Sequence, residues 1–156
     1  MKSIGTAILT LIVGILSANA WACGDSLYRV GKGISYRVYT APLPGSVLVY
    51  GQTEGARQLA EALSDSGHSV EVVASEMDLS LKMQSGDYDV VIASYGDHAA
   101  VESNTVASGT KYLPVALSKE EEQVAEQSYG EVLLADRDEI KDYLKAIHKT
   151  LKNKAS

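Results

Sequence analysis

The stretch SVLVYGQTEGARQLA, from Ser46 to Ala60, decides the fold because an apolar run stops at a glycine and a helical pattern begins at once. Val47, Leu48, Val49 and Tyr50 are continuous apolar residues, the pattern of a strand buried on both faces rather than half exposed. Beyond Gly51, Ala56, Leu59, Ala60 and Leu63 recur at helical spacing and give one apolar stripe. A strand, a tight turn and a helix form the first half of an α/β layer.

The same alternation continues downstream. Ser66-Gly67 supplies a helix stop, and Ser69 to Ala74 reads as a second strand. Met77, Leu79, Leu81 and Met83 predict a short helix ending at Gly86, and Tyr88 to Ala93 a third strand of the buried type. Asp97 to Ser108 is a weak helical segment, and Tyr112 to Leu117 a fourth strand. Ser118 with Glu121 forms a capping box ahead of a helix from Lys119 to Gln127. A strand over Glu131 to Leu134 and a last helix from Asp138 follow, with Ile140, Tyr143, Leu144, Ile147 and Leu151 on one face of that helix. Alternation at this spacing predicts an α/β, doubly wound, five-stranded parallel sheet with helices on both faces.

Upstream the character changes. Lys2 is the only charge before Asp25, Ile4 to Leu16 is apolar, and Ser17 to Ala20 is small and polar, the organisation of a secretory signal peptide over residues 1–22. Cleavage after Ala20 or after Ala22 leaves Trp21 or Cys23 first, and an uncleaved anchor is the alternative. Either reading places the domain in the periplasm or outside the cell. Cys23 is the single cysteine, so no internal disulfide forms. An inert thiol, an intermolecular disulfide and a lipidated N-terminus stay open for it, although Trp21 is bulky where a lipoprotein signal has a small residue. Residues 23–45 read as an extended arm punctuated by glycine and proline, with Arg29, Lys32 and Arg37 set against an acidic body.

The body spans 46–152, with a tail over 153–156. Losing Lys2 leaves 13 basic against 20 acidic residues, and an acidic surface argues against nucleic acid as partner. A domain of this length buries about two thirds of its unfolded surface.

VLVYGQTEGARQLAEAL, with Arg57 and Leu59, Tyr88-Asp89-Val90-Val91-Ile92-Ala93-Ser94 and Leu113-Pro114-Val115-Ala116-Leu117-Ser118 together resemble the receiver domains of bacterial response regulators, over Ser46 to Leu151. The resemblance implies a flavodoxin-like fold and, in an active receiver, aspartyl phosphorylation with magnesium. The residues for that chemistry are replaced here. Gly51 and Gln52 stand where a receiver holds two magnesium-binding acids, and Ser94 where it holds the phosphoacceptor aspartate. No lysine occurs from Glu131 to Asp138, the region of the receiver's lysine, and only Ser118 matches its hydroxyl position. The aspartyl-phosphate step has neither its carboxylate nor its metal ligands.

A doubly wound sheet binds ligands at the carboxyl ends of its strands, near the point where strand order reverses. That crevice is expected to be lined by Gly51, Gln52, Thr53, Ser94, Tyr95, Gly96, Asp97 and Ser118. Backbone N–H groups of the Gly51–Gly55 turn offer an anion site, which Glu54 would oppose, or an ordinary βα turn. YGQTEGA is also similar to the phosphate loop of flavodoxins, with only Thr53 left of its hydroxyls. Asp97, His98 and Glu102 are either a metal-like cluster or a solvated helix start, while His68 and His148 have no partner visible in the sequence. Ser94 with His98 lacks the Gly-x-Ser-x-Gly elbow of a hydrolase. Lys141, Lys145, Lys149, Lys152 and Lys154 stripe the final helix, complementing its dipole or docking an acidic partner or anionic lipid. The expectation is a non-catalytic exported domain, without cofactor or bound metal, that works through contacts with an unknown protein or a small ligand. A cofactor- or anion-binding protein using the crevice is the alternative, and a membrane enters only if Cys23 is lipidated or the signal stays uncleaved.

Overall fold

A computed structural model describes residues 40–105 and 109–154. The expectations for the signal peptide, for Cys23 and for the arm as far as Tyr39 lie outside the described residues.

The elements in chain order are β1 (Ser46–Tyr50), α1 (Glu54–Asp65), β2 (Ser69–Val73), α2 (Glu76–Ser85), β3 (Val90–Ser94), a 3-10 turn (Tyr95–Asp97), α3 (His98–Thr105), β4 (Lys111–Ala116), α4 (Lys119–Ala125), β5 (Leu133–Leu134) and α5 (Ile140–Lys154). All strand pairs are parallel, in the order β2-β1-β3-β4-β5. The chain steps outward from β1 to β2 and then returns to β3 on the other side, so order reverses between β1 and β3. This is the strand order of a flavodoxin-like, doubly wound sheet.

In β1, β3 and β4 the residues alternate between two buried faces, which is why the sequence shows runs there, whereas edge strand β2 is largely exposed. Val47, Val49, Val90, Ile92, Leu113 and Val115 meet α1 and α5 through Leu59, Leu63, Tyr143 and Ile147. Leu48, Val91 and Ala93 meet α2 and α3 through Leu79, Met83 and Val101. Each such fully buried aliphatic side chain contributes about 1.5–3 kcal/mol relative to exposure.

Three sequence expectations are modified. In α2, Leu79 and Met83 are buried while Met77 and Leu81 are 74% and 58% exposed. The run 77, 79, 81, 83 has a period of two, and a helix can bury only pairs four apart. The fifth strand was expected over Glu131 to Leu134 but covers only Leu133–Leu134. The Lys111 N–H bonds to Asp89 O, just before β3, so residues 112, 114 and 116 turn their backbone toward β5, where Pro114 has no N–H to offer. Pairing begins past it, at Val115↔Leu133 and Ala116↔Leu134. The third strand starts two residues late, at Val90, although Tyr88 remains buried against α2.

Local signals explain the boundaries. After α1, Gly67 sits at φ 101°, a left-handed conformation natural to glycine, and His68 N–H bonds back to Leu63 O at 3.2 Å. Residues 40–45 lie against the domain: Ala41 is buried and its N–H bonds to Ser66 O at 2.7 Å, and the Gly45 N–H bonds to His68 Nδ1 at 3.1 Å. A Cβ at Gly45 would stand 2.8 Å from Leu151 Cδ1, so a larger residue there requires the end of the Leu151 side chain to move.

Candidate functional site

β1 and β3, between which the strand order reverses, end side by side, Tyr50 pairing with Ala93. Gly51, Gln52 and Thr53 leave β1, Ser94 to Asp97 leave β3, and Ser118 follows β4. Ser94 in turn pairs with Val115 of β4. The sheet therefore gathers these residues along one edge, with Gln52, Gly96 and Asp97 exposed.

The hydroxyls of this edge have a common task. Thr53 Oγ1 accepts the Ala56 N–H at 3.2 Å and caps α1. Ser94 Oγ accepts the Gly96 N–H at 3.2 Å and caps the 3-10 turn. Ser118 Oγ accepts the Glu121 N–H at 3.2 Å and caps α4. The first N–H groups of a helix have no partner within it, and hydroxyl residues at these junctions satisfy them. The expected capping box is present with one change, since Glu121 Oε2 accepts from the Leu117 N–H at 2.8 Å, one residue before the cap.

The turn after β1 is likewise engaged in structure. The Gly51 N–H bonds to Val73 O at 2.9 Å, tying the end of β1 to β2. Glu54 is paired with Arg57, whose Nε lies 3.0 Å from Glu54 Oε2. Burial, and then the carboxylates of Asp97 and Glu76, push the Tyr50 hydroxyl above its ordinary value. Negative charge thus collects beside the turn, against an anion held there.

Tyrosines add a wall that sequence reasoning did not assemble. Tyr95 stacks on His98 with centroids 4.9 Å apart, and meets Tyr129 edge-on at 6.2 Å. Tyr129 also meets Tyr112 edge-on at 5.2 Å. The Tyr112 hydroxyl donates to Ser94 O at 2.9 Å, and the Tyr129 hydroxyl donates to Glu102 Oε1. Burial first, then neighbouring carboxylates and tyrosines, raise Tyr112 far above the ordinary phenol range; burial and the Glu102 bond do the same for Tyr129. Both are neutral donors at any physiological pH. Their positions, 17 residues apart in sequence, share no motif, and only the sheet order brings them together.

The metal-like cluster does not assemble. His98 Nδ1 lies 2.8 Å from Tyr95 O and Glu102 is held by Tyr129, and among the described residues no three His, Cys, Asp or Glu side chains are placed to hold a metal. His68 does have a partner, the Gly45 N–H, contrary to the sequence impression. Arg137, the first cation after β5, is bound to Asp138 at 2.7 and 2.8 Å and to Glu122 at 2.6 Å. The bonds to Asp138 and then Glu122 push its pKa further upward. Much of the lysine stripe is paired within the domain, Lys141 with Glu139, Lys149 with Glu131 and Lys154 with Asp89. No helix among the described residues is long and apolar enough to cross a membrane.

No known protein family matches the chain, and no curated protein matches its sequence.

Proposed function

We propose that the chain is an exported, receiver-like domain that has no catalytic activity and acts by binding a protein or a small ligand. The observation that carries this reading is the engagement of Thr53, Ser94 and Ser118 as caps of the elements they precede. A nucleophilic hydroxyl is activated by a base within hydrogen-bond reach; the three oxygens here accept backbone N–H groups, and the carboxylate that Ser118 meets is that of Glu120, in the exposed first turn of the helix it caps. The receiver resemblance supplies the fold, while Gly51, Gln52 and Ser94 replace the groups that would hold magnesium and accept a phosphoryl group. Export rests on the signal-like pattern of residues 1–22.

The anion- or cofactor-binding alternative draws on the α1 N-terminus at Thr53. It is opposed by Glu54, by the charge of Glu76 and Asp97 near Tyr50, and by the Gly51 N–H being bonded to Val73.

The test is the intact mass of the protein recovered from the periplasmic fraction, native and then denatured, followed by incubation with acetyl phosphate and magnesium. The expected result is a mass beginning at Trp21 or Cys23, nothing lost on denaturation, and no phosphoryl increment. A flavin or metal released on denaturation, or a phosphoryl increment, overturns the non-catalytic reading. Retention in the cytoplasm overturns export.

A further inference from the structure

Residues 40–45 lead into β1 as a strap fastened to a single turn, Ser66 to Ser69, at three points. The Ala41 N–H donates to Ser66 O at 2.7 Å, the Gly45 N–H to His68 Nδ1 at 3.1 Å, and the Ser69 N–H to Gly45 O at 3.0 Å. Pro42 and Pro44 have no N–H to add. Of the three acceptors, only the imidazole titrates.

An imidazole accepts at Nδ1 only while that nitrogen is unprotonated, so neutral His68 carries its proton on Nε2. His68 is 5% exposed, and Nε2 is buried with no hydrogen-bond partner among the described residues. A second proton turns Nδ1 into a donor that faces the Gly45 N–H. The closed strap then holds an imidazolium that has lost its one bond and gained no acceptor at Nε2. Surrounding charges do not compensate. Asp89, just before β3, is bound to the Ser46 N–H and to Lys154 at the end of α5, Asp65 at the end of α1 is exposed, and Glu71 on β2 pairs with Lys82. Burial pushes the His68 pKa down, and no neighbouring charge shares in that shift. On α5, His148 lines a hollow with Thr40 and Pro42, but its Nδ1 has no hydrogen-bond partner among the described residues.

We propose that His68 is a proton-operated latch, whose protonation opens residues 40–45 from the Ser66–Ser69 turn while the sheet stays folded. Opening brings Ala41, 6% exposed when closed, into water. It stops at Ser46, whose N–H stays on Asp89, because the Ser46 and Lys154 bonds keep that carboxyl ionised through the range where an imidazole titrates. In the open strap the ring takes its ordinary value of about 6.5, above the closed one. The closed state is therefore fully favoured above about pH 6.5 and loses up to about tenfold per pH unit as pH falls toward the closed value. The latch requires neither the strand-end residues nor export, so it and the proposed function fail separately.

The test is NMR of the isotope-labelled full chain between pH 7.5 and 5. Ring-nitrogen shifts are expected to show neutral His68 protonated on Nε2, with the Gly45 amide moving along the same titration. In hydrogen exchange, corrected for its own pH dependence, Ala41 and Gly45 are expected to be less protected than Val49 and Ile92, with protection falling up to about tenfold per unit below about pH 6.5. His68→Asn, whose amide oxygen accepts the Gly45 N–H but does not titrate, is expected to abolish that slope, and His148→Asn to keep it. A neutral ring protonated on Nδ1, protection of Ala41 and Gly45 that is flat with pH, or a slope that survives His68→Asn overturns the proposal. So does exchange at Ala41 and Gly45 no faster than at Val49 and Ile92, which would make the opening a global unfolding. The spectra report whether each variant is folded, and the tautomer and joint titration of the parent decide without any variant.

Discussion

Replacing Ser118 separates a cap from a reactive hydroxyl. Ser118 has extended backbone at φ −140° and ψ 164°, and its Oγ lies 3.2 Å from the Glu121 N–H at the start of a helix of 7 residues. Ser118→Ala removes the acceptor of that N–H, and the loss of such a cap costs about 1 kcal/mol. Ser118→Asn restores an oxygen at the same place and should recover stability to within about 0.5 kcal/mol of the parent. Glu121→Ala removes the carboxylate that accepts the Leu117 N–H at 2.8 Å, a charge-assisted bond for which we expect a cost of about 1.5 kcal/mol. The double variant Ser118→Ala/Glu121→Ala should cost less than the two summed, because both act on one helical turn. The assay is urea unfolding at neutral pH, with unchanged denaturant slope showing that only stability has moved. If Ser118→Asn is as unstable as Ser118→Ala, or if neither moves the midpoint, capping is not the task of Ser118 and the argument against a reactive hydroxyl loses its main support.

Other outcomes follow from the lower edge of the sheet and its core. Asp89 Oδ2 accepts the Ser46 N–H at 3.0 Å and Oδ1 meets Lys154 Nζ at 2.9 Å, so Asp89→Ala should cost about 2 kcal/mol, and Lys154→Ala, which breaks a pair largely open to solvent, under about 1 kcal/mol, both read by urea unfolding. Burial pushes the Asp89 carboxyl up, but the Ser46 and Lys154 bonds outweigh it and hold it below the usual range. Its stabilisation is therefore complete above its unfolded value of about 4 and lost as pH falls through the folded one, which midpoints between pH 5 and 2 would reveal as a slope that Asp89→Ala flattens. His68 is depressed by burial, so its stabilisation is complete above about pH 6.5 and lost as pH falls from there toward the folded value. His68→Asn, whose amide oxygen can accept the Gly45 N–H, should flatten stability across that window in thermal melts. Ile92→Ala, in a fully buried strand position, should cost 2–5 kcal/mol by the range of about that size seen for such truncations, against about 0.5 kcal/mol or less for exposed Met77→Ala in the same assay.

What the sequence makes legible follows from which interactions are local. The runs Val47 to Tyr50 and Val90 to Ala93 announce strands buried on both faces, and Ser118-x-x-Glu121 announces its helix, because neighbours in sequence carry those signals. That Gly51 to Thr53 and Ser94 to Asp97 share the carboxyl edge of the sheet is legible too, since parallel alternation places the loops after β1 and β3 at the same end. The tyrosine wall is not legible. Tyr95, Tyr112 and Tyr129 meet only after β3 and β4 pair and the loop after α4 returns over them. The shortness of β5 is not legible in its own residues, because Pro114, which lacks the N–H, lies in the neighbouring strand.

The separation of fold from chemistry has a physical basis in this molecule. Strand interiors such as Leu48, Val91 and Ile92 are constrained by packing on two faces, whereas the residues just past the strand ends need only satisfy their backbone. At those positions the chain uses the least demanding solutions: a glycine whose N–H binds Val73, and hydroxyls that cap the elements they start. Placing one carboxylate there would not make a metal site, because a hard cation needs several oxygens at once and Glu54 and Glu102 are engaged with Arg57 and Tyr129. An acidic group added at Ser94 would instead sit near the charges that already raise Tyr50, and without a cation it would be repelled. At the carboxyl edge the demand on the chain is thus set by backbone groups, which Thr53, Ser94 and Ser118 satisfy, rather than by packing.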